Sequence, residues 1–218
     1  RTYVPTKLDR ELAQALLGRH FRLAILTGNA GDGKTAFIQK VEEMAENKGT
    51  TLVRPNSLGT SFELDGWQFR TLYDGSVDSG AMSNRQMLAD FFRDLSGDQL
   101  PASDICLIVA MNEGKLRDFL SHTTQFPWLS RTVLDHVQKG SPLPPDVVVV
   151  NLNLRSVVDA SPEDTDCLLD QILDRYVADE FWEACRSCSC RHRCPVKFNV
   201  DTFKLVSEAD ADDKDRRS

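Results

Sequence analysis

The sequence predicts an α/β fold in which a mainly parallel sheet carries helices on both faces. Three observations predict it. The short apolar runs "LAIL" (23–26), "ICLIVAM" (105–111) and "VVVV" (147–150) have the length and bounding residues of buried strands. Stretches with apolar residues at helical spacing lie between them. A glycine-rich turn, "GNAGDGKTA", joins the first of these runs directly to a helix.

The elements follow in order. "TKLDRELAQALLGR" places Leu8, Leu12, Ala15 and Leu16 on one helical face, with Thr6 as cap and Gly18 as stop. "RLAIL" is a buried strand. "KTAFIQKVEEMAENKG" forms a helix with Ala36, Phe37, Val41, Met44 and Ala45 on one face, closed by Gly49. "TTLVRP" reads as a strand, and "SFELDGWQFRTLYDGS" as a pair of strands ending near Asp74. "SNRQMLADFFRDL" is an amphipathic helix capped by Ser83 or Asn84. After the strand "ICLIVAM" come the short helix "EGKLRDFL", the helix "PWLSRTVLDHVQKG" closed by Gly140, and the strand "DVVVVNLNL". A long helix is expected over 161–185, with Ser161 as cap and Pro162 in its first turn, leading straight into a cysteine cluster.

A chain of 218 residues with 41% apolar content suffices for one full α/β core and a small appendage. The expected organisation is a core over 1–160 that includes the N-terminal helix, a helix and Cys-rich element over 161–200, and an acidic segment over 201–218 that is either a disordered tail or the start of a further domain. No run reaches the roughly 18 uncharged apolar residues that a membrane span requires, which excludes a membrane protein of that kind. Without a signal peptide the chain reads as cytoplasmic. The net charge of −7 gives no support to a direct grip on nucleic acid, which calls for a basic excess or a basic face.

"GNAGDGKT" fits G-x-x-x-x-G-K-T, with Gly28, Gly33, Lys34 and Thr35 in register. Glycines reach backbone angles closed to other residues, so successive N–H groups can turn inward and form a nest for phosphate oxygens. The positive end of the following helix adds to it. Gly28, Asn29, Ala30, Gly31, Asp32, Gly33, Lys34, Thr35 and Ala36 are therefore the expected nucleotide-binding residues. Lys34 would bridge the β- and γ-phosphates, and the Thr35 hydroxyl would hold Mg²⁺. Asp32 puts a carboxylate in this loop; the expectation is that it points outward, with contact to metal-bound water as the alternative. The fold expected is thus a P-loop NTPase of AAA+/STAND-like type.

Such a loop needs an acid at the carboxyl end of a neighbouring strand. Asp104 precedes its strand and is ruled out. In one assignment Asp74 is the metal-site acid and Asn112 orients water near the γ-phosphate; in the other, "LIVAMNE" is the acidic strand and Glu113 is the catalytic base. For Asp74 the plain alternative is a turn residue, and for Glu113 an acid that merely opens a helix. Arg155 either contacts phosphates or forms a surface salt bridge. The ends at Gly28, Asp74, Asn112 and Asn151 define the expected site, at the carboxyl edge of the sheet.

The cysteines run C-x2-C-x-C-x3-C-P, from Cys185, Cys188, Cys190 and Cys194 to Pro195, with His192 inside. Thiolates at such spacing can close on one tetrahedral ion, so Zn²⁺ is the first expectation, with His192 able to replace Cys190. The related spacing of ferredoxin-type runs makes an iron–sulfur cluster the second, and reduced metal-free cysteines the third. Cys106 and Cys167 read as ordinary buried residues.

Taken together, "LTGNAGDGKTAFIQKV", "MNEGKLRDFL", "NLNLRSVV" and "CRSCSCRHRCPVKFN" resemble the ATPase part of bacterial anti-phage proteins, in particular the phosphorothioation-dependent DNA restriction ATPase family. The resemblance spans about residues 6 to 200. It implies an ATP-driven switch or motor that works with other defence-system proteins, or within a larger parent chain, to restrict foreign DNA. By position it implies that Gly28 to Thr35 bind ATP and Mg²⁺ and that Asn112 with Glu113 sense or hydrolyse the γ-phosphate. Homo-oligomer formation and DNA contact through regions outside this chain belong to the same expectation. Two other functions fit the loop: a nucleotide-locked regulatory module with little hydrolysis, and a small-molecule or nucleoside kinase whose lid would draw on the arginines of "RSCSCRHRC".

Overall fold

The computed structural model describes residues 4, 6–76, 83–156, 158 and 167–204. They belong to two compact units, Lys7–Arg155, and Arg1–Thr6 together with Ser156–Ser218.

The first unit opens with a π-helical turn, Leu8–Leu12, running into helix α1, Ala13–Leu17. Lys7, not Thr6, occupies the cap position, and it makes no side-chain cap. Strand β1, Leu23–Thr27, is buried at every residue, as expected of a strand flanked on both sides and covered on both faces. Helix α2, Lys34–Asn47, starts at Gly33 and buries Phe37, Ile38, Val41, Glu42 and Ala45. Its buried face thus adds Ile38 and Glu42 to the expected Phe37, Val41 and Ala45, while Met44 packs half-buried against the same cluster and Ala36 is half-buried.

Strands β2, Val53–Asn56, β3, Gly59–Leu64, and β4, Trp67–Leu72, follow. Asp65 and Gly66 join β3 to β4 with φ of 52° and 79°, and Leu64 faces Trp67 across the turn. Positive φ at both central residues, in an Asp-Gly pair, is the mark of a type I′ hairpin. Ser83 then caps α3, Asn84–Phe91, by accepting from the Gln86 N–H, with the Gln86 side chain reaching back in a capping box. Strand β5, Ile105–Met111, helices α4, Glu113–His122, and α5, Pro127–Lys139, and strand β6, Val147–Asn151, complete the unit. Gly140 ends α5 in the left-handed conformation.

The six strands form one sheet in the order β2-β3-β4-β5-β1-β6. β4, β5, β1 and β6 run parallel, and β3 is antiparallel to both of its neighbours. The mainly parallel expectation thus becomes a mixed sheet. The reason is chain length: the connections between β2, β3 and β4 are too short for the crossover that parallel strands require. Along β5, Leu107, Val109 and Met111 join a cluster with Leu88, Phe92, Phe119, Phe126 and Leu129, drawn from α3, α4, α5 and the turns beside them. The alternate residues Cys106, Ile108 and Ala110 join Leu16, Phe37, Ile38 and Val41 on the opposite face, under α1 and α2.

In the second unit, helix α6, Leu168–Val177, is followed by 3₁₀ turns at Asp179–Phe181, Glu183–Ser187 and Arg191–Arg193, then by a helical stretch over 195–204. A single long helix into Cys185 is therefore not formed. Ala178 leaves the helical conformation with ψ of 135°, and Trp182 Nε1 donates to the Tyr176 carbonyl at 2.7 Å, taking an acceptor that a continued helix would use. The expected cap at Ser161 and Pro162 lies outside the described residues. Among the described residues no helix is long and apolar enough to cross a membrane.

Candidate functional site

The parallel strands bring the expected residues to one edge. Thr27, the last residue of β1, faces Met111 of β5 on one side and Asn151 of β6 on the other. β4 ends beside β5, and the Gly75 N–H continues the pairing by donating to the Ala110 carbonyl at 2.7 Å. The glycine-rich loop, Asp74, Asn112, Glu113 and Asn151 thus follow the carboxyl ends of four adjacent parallel strands.

The loop requires its glycines for two different reasons. Gly31 and Gly33 have φ of 91° and 87° with open space around them, so backbone angle alone selects glycine there. Gly28 is crowded as well: a Cβ on it would lie 2.6 Å from Asp32 Oδ2 and 3.2 Å from Leu152 Cβ. Lys34 Nζ curls over the loop and donates to the carbonyls of Gly28 at 2.9 Å and Asn29 at 2.5 Å. The expectation that Asp32 points outward is corrected. Its Oδ2 turns back to accept the Asn29 N–H at 2.5 Å.

The Thr35 hydroxyl donates to the Tyr73 carbonyl at 3.1 Å, which places it beside the residue that precedes Asp74. Asp74 Oδ1 accepts the Ser76 N–H at 2.8 Å in an Asx turn. Ser76 Oγ in turn accepts the Asn112 N–H at 2.7 Å, and the Asn112 side chain caps α4 by accepting from the Gly114 N–H. Glu113, the first residue of α4, accepts from Asn151 Nδ2 at 2.9 Å and lies 3.6 Å from Arg117 Nε. Arg155 Nη2 approaches the Asp32 carbonyl at 3.5 Å, at the limit of a hydrogen bond.

Two features of this edge go beyond the residues that the sequence singled out. Asn151 Oδ1 accepts the Asn153 N–H at 3.0 Å, and Asn153 Oδ1 accepts the Asn29 N–H at 3.1 Å. A polar string therefore runs from Glu113 through Asn151 and Asn153 into the loop. Glu42, only 3% exposed, accepts from Thr71 Oγ1 and from the Tyr73 hydroxyl, each at 2.7 Å, and the Tyr73 hydroxyl also pairs with Thr60 Oγ1. Burial is the main cause that raises the Tyr73 phenol above its ordinary pKa. Tyr73 thus ties α2 to the end of β4 twice, through its ring hydroxyl to Glu42 and through its carbonyl to Thr35.

The cysteine run has suitable donors for Zn²⁺, but they are not assembled. Cys185, Cys188, Cys190 and Cys194 are free, with Cys188 and Cys190 exposed. Among the described residues no group of three or more His, Cys, Asp or Glu side chains is placed to hold a metal ion. The run winds through the 3₁₀ turns Glu183–Ser187 and Arg191–Arg193. Cys106 and Cys167 are buried, as expected, and burial pushes the Cys106 thiol up to about 12.

Compared with protein-family models, with characterised proteins and with solved structures, the chain finds no match.

Proposed function

We propose that this chain binds ATP with Mg²⁺ on the loop Gly28–Ala36 and uses hydrolysis to change an interface, as a switch or motor. The observation that carries this reading is the relation of Thr35 to β4. A G-x-x-x-x-G-K-T turn lies between a strand and a helix, and the hydroxyl of its threonine reaches the backbone carbonyl of the residue before Asp74. A hydroxyl and a carboxylate brought to one strand end beside a glycine nest suit a hard cation with a polyphosphate. Mg²⁺ bound there would neutralise phosphate charge.

The order of the strands supports giving Asp74 the metal role and Asn112 with Glu113 the γ-phosphate role. β5, which leads to Asn112, lies between β1 and β4, and β4 leads to Asp74. In this reading Lys34 steadies the β- and γ-phosphates and Glu113 orients or deprotonates the attacking water. The restriction-ATPase resemblance supplies the biological setting: a cytoplasmic anti-phage system in which partner proteins or further parts of a parent chain contact DNA. Zn²⁺ on the cysteine run remains a proposal drawn from its spacing, and no step depends on it.

One observation favours a second reading, a module that holds nucleotide and scarcely hydrolyses it. The carboxylates of Asp74 and Glu113 both already accept N–H groups of the protein, from Ser76 and Asn151. ATP and GTP turnover with and without Mg²⁺, at several protein concentrations, separates the two. Mg²⁺-dependent turnover that Asp74→Asn and Glu113→Gln both abolish supports the ATPase. Turnover rising faster than linearly with concentration indicates a homo-oligomeric site. Tight Mg²⁺-dependent binding without turnover supports the module.

A further inference from the structure

Asp32 stands directly before Gly33 and Lys34, and its carboxylate is held inside the loop. Oδ2 accepts the Asn29 N–H at 2.5 Å and closes against Gly28, where a Cβ would lie 2.6 Å away. The same N–H is shared with Asn153 Oδ1 at 3.1 Å, so the polar string from β6 and the Asp32 carboxylate meet on one amide. Two cations of this region are directed to carbonyl groups: Lys34 Nζ to Gly28 and Asn29, and Arg155 Nη2 to the Asp32 backbone oxygen. A fixed negative charge therefore sits within a loop whose remaining amides and helix end suit an anion.

Resting on the nucleotide-binding reading above, we infer that Asp32 sets how tightly this loop holds polyphosphate. The side chain does two separable things. As an acceptor it braces the backbone at Asn29, which holds the loop in shape. As a charge it repels phosphate, which weakens binding and speeds release, and the repulsion grows with the charge of the nucleotide. Asp32→Asn keeps an acceptor oxygen and removes the charge; Asp32→Ser does the same with a hydroxyl.

The test is calorimetric affinity for Mg·ATP and Mg·ADP on the wild type, D32N, D32S and Lys34→Ala, at low and at moderate salt. Tightening of about three- to tenfold is expected in D32N and D32S, larger for ATP than for ADP and smaller at the higher salt, because screening removes the repulsion. Unchanged or weaker binding by both variants, while the wild type binds and Lys34→Ala does not, overturns the inference and leaves the nucleotide site standing. Weakening seen only with Mg²⁺ present also overturns it and makes Asp32 a partner of metal-bound water. Absence of nucleotide binding by the wild type, D32N and D32S overturns both readings.

Discussion

The side-chain amide of Asn151 donates to the Glu113 carboxylate at 2.9 Å, joining the end of β6 to the start of α4 across the end of β1, the strand that leads into the glycine-rich loop. With one hydrogen bond worth about 1 kcal/mol, Asn151→Ala is expected to lower ATP turnover several-fold while leaving ATP affinity nearly unchanged. Asn151→Asp decides what the residue does. It keeps the oxygen that caps Asn153 but sets a carboxylate against Glu113. If Asn151 positions Glu113, Asp is at least as damaging as Ala; if the residue only shapes the turn, Asp restores activity.

Glu42 is the buried acceptor for Thr71 and Tyr73. Glu42→Leu removes that acceptor and leaves both hydroxyls with Thr60 as partner, and a loss of about 1–3 kcal/mol in urea-unfolding stability is expected. Glu42→Gln keeps an acceptor oxygen for Thr71 and is expected to lose clearly less. Equal stability of the wild type and the leucine variant would mean that the network contributes nothing net.

Thiol labelling checks the cysteine assignment. In the native protein Cys188 and Cys190 react readily, while Cys106 and Cys167 react only after unfolding, since they are buried. Cys106 also gives a pH dependence with a definite sign. Burial pushes its folded pKa up to about 12 from an ordinary 9.0, so the neutral thiol favours the fold at low pH, and this contribution falls as pH rises above 9 toward 12.

Metal binding has its own readout. If Zn²⁺ takes the run Cys185–Cys194, adding it protects those thiols from labelling and a chelator restores the reaction. Labelling that is indifferent to both, with no metal in elemental analysis, removes the zinc proposal.

The parts of this fold that local chemistry dictates were legible in the sequence. Uninterrupted apolar runs marked β1, β5 and β6. The glycine spacing marked the loop, and the alternation of strands with helices placed Gly28, Asp74, Asn112 and Asn151 at one edge. What escaped depends on neighbours distant in sequence. The β5-β1-β6 order lets Asn151 reach Glu113, and no local pattern encodes that order. Glu42 looked like one more helix glutamate, and its burial follows from α2 lying on the sheet, where Thr71 of β4 and Tyr73 meet its carboxylate. The mixed sheet did have a local signal: "LDGW" contains the Asp-Gly pair of a tight hairpin. Asp32 turned inward because the Asn29 amide, which also reaches Asn153 from β6, lay within range of its short side chain.

The measurement that tests the account most directly is equilibrium binding of Mg·ATP to this chain and to Lys34→Ala, with melting curves for both. Lys34 is half-buried on the loop, and among the described residues its amine bonds the carbonyls of Gly28 and Asn29. The account predicts saturable binding by the wild type, loss of at least about tenfold in affinity in the variant, and closely similar melting. Equal affinity in the two proteins, or no binding by the wild type, would contradict it.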